Sequence, residues 1–93
     1  MTYIESARAL LVEKLDGVMK DGPLMDLYLN LVFAKGEETT LEDVHDAWAI
    51  EKSRVRPDHH SIIPFDELTL KVQEMDRQFV DAIVATAREL KVG

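Results

Sequence analysis

The chain has 93 residues and no cysteine; 46 % of its residues are hydrophobic, 31 % are charged, and its net charge is −7. Such a chain makes one globular domain that buries roughly 60–65 % of the surface its unfolded form exposes, leaving little room for an enclosed active site. Without cysteine there are no disulfides or thiolate metal sites, and the acidic balance would repel a phosphate backbone, which argues against generic nucleic-acid binding.

The first element is expected from Thr2 to about Lys20. Thr2 and Glu5 have capping-box spacing, and Ile4, Ala7, Leu11, Leu15 and Val18 recur at steps of three and four, giving one apolar stripe. Gly17 weakens the last turn, and Gly22-Pro23 is expected to end it. Pro23 and Gly36 then bracket a second helix in which only Asp26 and Asn30 break the apolar run from Leu24 to Ala34. A helix apolar nearly all round is either central in the fold or shared with another chain. Both are expected here, with self-association through residues 24–35 or a partner covering one side.

Thr39 or Thr40 caps a third helix, with Glu42 and Asp43 at the matching positions. Leu41, Val44, His45 and Trp48 form its inward face, and Lys52, Arg54 and Arg56 crowd its end before Pro57. The segment Pro57-Asp58-His59-His60-Ser61-Ile62-Ile63-Pro64-Phe65-Asp66-Glu67-Leu68 follows. A mere spacer has no use for Ile62, Ile63 and Phe65, because a buried loop must satisfy its backbone polar groups. It is expected to lie pinned beside His45 and Trp48. Thr69 then caps a long last helix to about Val92, with Val72, Met75, Phe79, Ile83, Ala87 and Leu90 as its stripe. The expected fold is all-α: a single four-helix domain over residues 1–93, built from a helical hairpin (1–36) and a helix-loop-helix (40–93), with an ordered proline-bracketed loop between helices 3 and 4.

No apolar run approaches 18 residues, and Met1-Thr2-Tyr3-Ile4-Glu5 has no signal pattern, so a cytoplasmic protein without a membrane partner is expected. Chemistry-bearing motifs are sparse. His59 and His60 are adjacent and lack an i, i+4 partner, so no metal site is expected. Ser6, Ser53 and Ser61 lie in no triad or elbow context. The four glycines form no phosphate loop, and Asp66-Glu67 suits a helix start. No catalytic residue, metal or cofactor is expected. The positive group of Lys52, Arg54 and Arg56, with His59 and His60 behind it, has two readings. It complements the dipole of the third helix, or it forms an anion site with Trp48 as a stacking face.

From Glu42 onward the chain resembles the repeat domain of ryanodine receptors. That family pairs a His-x-x-Trp helix with a later His-Pro-x-Leu-Val-Pro-Tyr-Asp-Glu-Leu stretch and a Lys-x-x-Asp-Arg helix. His45 and Trp48 match the first element. His59, Ile62, Ile63, Pro64, Phe65, Asp66, Glu67 and Leu68 match the second, and Asp76 and Arg77 match the third. His60 replaces the family's proline, and the insertion after the Trp helix is shortened to Ser53 through Asp58. The resemblance implies a cleft for an adenine-nucleotide-like ligand. The whole chain is also similar to small actinobacterial phage proteins of the mycobacteriophage type, which implies an accessory product in the host cytoplasm. The leading expectation is a non-enzymatic protein that binds a host protein through helix apolar surface and the 57–68 loop. The alternative is a module that binds or sequesters a nucleotide-derived ligand. The candidate binding residues are His45, Trp48, Lys52, Arg54, Arg56, His59, Phe65 and Asp66.

Overall fold

A computed structural model describes residues 1–91. Its elements are α1 (Tyr3–Lys14), α2 (Pro23–Ala34), a 3-10 turn (Gly36–Glu38), α3 (Leu41–Val55), a second 3-10 turn (Phe65–Glu67), a one-turn α4 (Leu70–Glu74) and α5 (Arg77–Leu90). The fold is a small all-α domain built on four long helices, with no strand among the described residues.

The capping chemistry is local and legible. Thr2 accepts the Glu5 amide at 3.0 Å while Glu5 accepts the Thr2 amide, and Thr40 and Asp43 repeat the exchange at the start of α3. Each box satisfies two amides that the first turn leaves without partners. Thr40→Ala is expected to cost about 1 kcal/mol. A shifted urea midpoint with an unchanged slope would register that loss.

α1 stops at Lys14, six residues short of the expected end. Leu15 still donates to the Leu11 carbonyl, but the amides of Val18 and Met19 both turn back onto Leu15. Gly17 sits at φ +81°, in the left-handed region that favours glycine. The terminator is therefore Gly17 and not Gly22-Pro23. The stripe is buried only in its middle: Ala7, Leu11 and Leu15 are enclosed, whereas Ile4 and Val18 are exposed.

α2 and α5 form the centre, each packing on α1, on α3 and on the Gly36–Glu38 turn as well as on each other. Met25, Tyr28, Leu29 and Val32 from α2 meet Val80, Ile83 and Ala87 from α5, with Leu11 and Val44 closing the core. The two halves of the chain thus share one core, and the radius of gyration of 13.0 Å is that of a single domain of this length. The fold itself covers the apolar circumference of α2. Its large apolar side chains are all buried or half-buried, and Asp26 and Asn30 mark its exposed face.

The long last helix is split. The Met75 amide bonds back to the Val72 carbonyl, and Asp76, at φ −93° and ψ 5°, restarts the chain as the cap of α5. Phe79 and Val80 both donate to the Asp76 carbonyl, so Met75 never receives the bond a continuous helix would give it. Met75, expected in the apolar stripe, is consequently exposed. α5 ends at Leu90 with Lys91 in the left-handed conformation, and Val92 lies outside the described residues.

Arg8 bridges to Asp21 and Asp26, Lys14 pairs with Glu89, and Arg88 pairs with Glu37. These surface pairs link α1 to α2 and to α5, and α5 to the Gly36–Glu38 turn, and each contributes little to stability. No helix among the described residues is long and apolar enough to cross a membrane.

Candidate functional site

α3 positions the site because its stripe carries polar aromatics where a core would have aliphatics. Val44 and Ala47 turn into the core, and His45 and Trp48 follow at adjoining positions on the helix. His45 is buried, with its ring stacked on the Trp48 indole at 5.7 Å and tilted against Phe65 at 6.1 Å. Its Nε2 lies 2.8 Å from the Ile63 carbonyl oxygen. A carbonyl only accepts, so Nε2 carries the hydrogen and Nδ1 of the neutral ring is left as an acceptor.

That bond is the pin for the loop. Ile62 and Phe65 are half-buried, but the Ile63 side chain is 38 % exposed, so at Ile63 it is the carbonyl that is anchored and not the side chain. Gln73, which the sequence reading did not single out, holds the other end: its Nε2 donates to the carbonyls of Phe65 and Leu68, each at 3.1 Å.

Within the loop the Ser61 amide donates to His59 Nδ1 at 3.0 Å, which leaves the His59 hydrogen on Nε2. The His59 ring meets Trp48 edge-on at 5.2 Å and stacks on His60 at 4.7 Å. Burial pushes the His59 pKa below its ordinary value, helped by His60, Lys52 and Arg56 and opposed by Asp58. The sign of the pH dependence follows. The unfolded chain takes up this proton near pH 6.5, whereas the folded chain resists it down to the depressed value. Stability therefore falls as pH drops from 6.5 toward that value and is regained as pH rises. In His59→Asn, the slope of urea stability against pH just below 6.5 is expected to be shallower than in the native chain.

These groups line a cleft of about 370 Å³ between α3, the loop and the α4–α5 junction. Trp48 and the two loop histidines form one side, Val72 and Met75 supply apolar lining, and Asp76 contributes a carboxylate. Asp76 makes no capping bond to α5 and joins none of the ion pairs among the described residues. Half-burial raises its pKa while His45 pulls it back. Burial and the Asp76 charge together push the Tyr28 hydroxyl upward. Lys52 Nζ lies 5.9 Å over the Trp48 ring, adding a cation at the indole. Among the described residues, no three His, Cys, Asp or Glu side chains are grouped to hold a metal ion.

Of the expected site residues, His45, Trp48 and His59 converge on the cleft, and Lys52 sits against it. The others do not line it. Arg54, in the last turn of α3, and Arg56, its C-terminal cap, are both exposed, Arg56 lying 4.0 Å from Asp58. Phe65 backs His45 and lines a separate depression with Thr40, Gln73 and Arg77. Asp66 is exposed in the second 3-10 turn and lines no part of the Trp48 cleft. The sequence reading missed Ser61, Val72, Met75 and Asp76 as lining residues. Val72 and Met75 carry the helical stripe, which reads as core. The signal for Asp76 was its place in the Asp76-Arg77 pair.

A family model described as a domain of unknown function (DUF7701) matches residues 2–88. Comparison with curated proteins and with solved structures yields no match.

Proposed function

We propose that this chain, which belongs to the DUF7701 family, is a non-enzymatic module that binds a nucleotide-derived small ligand in the cleft beside Trp48. The cleft itself carries the reading. It is concave, of ligand-pocket size, and lined by aromatic and apolar groups with a few polar atoms aimed into it, as small-molecule sites are. Lys52 at the indole, with Arg56 close enough to act on His59, gives an otherwise acidic protein a cationic rim suited to a phosphate. Docking onto a host protein through α2 would need an apolar face on that helix, and its exposed positions are Pro23, Asp26, Asn30 and Ala34, with every large apolar side chain buried or half-buried.

The chain has one tryptophan, so indole emission reports on this cleft alone. Titration with the four common ribonucleoside monophosphates is expected to change that emission saturably with at least one of them. Binding should weaken in Lys52→Ala and at raised salt. An emission unmoved by all four would overturn the reading.

A further inference from the structure

The hydrogen-bond pattern of the cleft is asymmetric. His45 spends its one hydrogen on the Ile63 carbonyl, so the neutral ring offers only the Nδ1 lone pair. Asp76 brings two carboxylate oxygens with no capping bond to satisfy them, and an ionised carboxylate only accepts. His45 and Asp76 line the cleft together, beside Trp48. The α3–α5 side of the cleft is therefore rich in acceptors. The loop side has the reverse character: His59 gives its Nδ1 to the Ser61 amide and keeps Nε2–H as a donor.

Resting on the binding role proposed above, we infer that Asp76 is the specificity-determining residue and that the cleft selects guanine among the nucleobases. Guanine presents adjacent N1–H and N2–H donors, which two carboxylate oxygens accept side by side in a charge-assisted pair. Adenine sets a lone pair beside its amino group, and that lone pair would face a carboxylate oxygen across a half-buried gap. A site built to accept two donors rejects an analogue lacking one, because its polar groups are left unpaired. A bare amidinium or guanidinium has the same donor pair. It lacks an anionic tail for Lys52 and is repelled by that same rim, so the two features together specify a guanine nucleotide. At about 370 Å³ the cleft suits one nucleotide and not two.

Calorimetric titration of the full chain with GMP, IMP and AMP tests this. GMP is expected to bind at least about tenfold more tightly than AMP. IMP, which retains N1–H and lacks the 2-amino group, should fall between them. In Asp76→Asn, whose amide offers one donor and one acceptor, the preference should shift toward AMP, with far-UV circular dichroism confirming that the variant is folded. The GMP-to-IMP comparison uses the native chain alone and decides the matter even if the variant does not fold. AMP binding as tightly as GMP, or IMP indistinguishable from GMP, would overturn guanine selection while leaving the cleft a nucleotide site. Failure of every nucleotide to bind would remove the underlying reading as well.

Discussion

Leu11→Ala is expected to remove about 2–5 kcal/mol of folding stability. The native domain should hold only roughly 5–14 kcal/mol in total, by the usual increment per residue. Leu11 is fully enclosed in the core, on the one helix that closes both central helices, α2 and α5, from the N-terminal side. Truncation loses the transfer energy of the missing carbons and leaves a void that these packed helices fill only in part. The matched control is Val18→Ala. Val18 belongs to the same three-and-four pattern in the sequence, but it lies beyond the end of α1 and is 45 % exposed. Its truncation is expected to cost under about 0.5 kcal/mol. Urea melts of the two variants give the comparison directly, and similar losses would mean that α1 continues past Gly17 after all.

That contrast indicates what was legible in the sequence. Capping boxes, the Pro23–Gly36 bracket and the burial of α2 all follow from chemistry within a few residues, so Thr2 and Pro23 mark their helix starts, and of the two threonines open to α3 the structure selects Thr40. Helix ends depend on competition with what lies beyond. At Gly17 a left-handed turn prevailed over a stripe that continued in register to Val18. At Asp76 a periodic pattern spanning Val72 to Leu90 gave no sign of the break, because Met75 fits the stripe whether or not the helix is continuous. The break matters, since it turns the Asp76 carboxylate toward His45 and Trp48 instead of leaving it on a helix flank. The same limit applies to the site. His45, Trp48 and His59 stood out by residue type, and the structure brings them together. Arg54 and Arg56 stood out by charge alone, and charge clustered in sequence at a helix end says nothing of the direction in which side chains leave it. Gln73 and the Ile63 carbonyl had no signal, because a backbone acceptor is present at every position.

His45→Ala is expected to be the most damaging change at the site, at about 2–4 kcal/mol. Part of that is the void left by a buried ring that touches Trp48 and Phe65. About 1 kcal/mol more comes from the lost bond to the Ile63 carbonyl. His45→Phe separates the two contributions, since it keeps a ring of similar shape and cannot donate. Global stability should then recover most of its loss while the loop does not. The amides of Ile62 and Leu68, which close the turns on either side of Ile63, are the local reporters, and their exchange should accelerate in both variants. Nucleotide affinity should follow the loop and not the melt, because His59, His60 and Ser61 reach the cleft only while the pinned carbonyl holds that segment against α3. A His45→Phe chain with native exchange at Ile62 and Leu68 would mean that Gln73 alone secures the loop, through its bonds to Phe65 and Leu68.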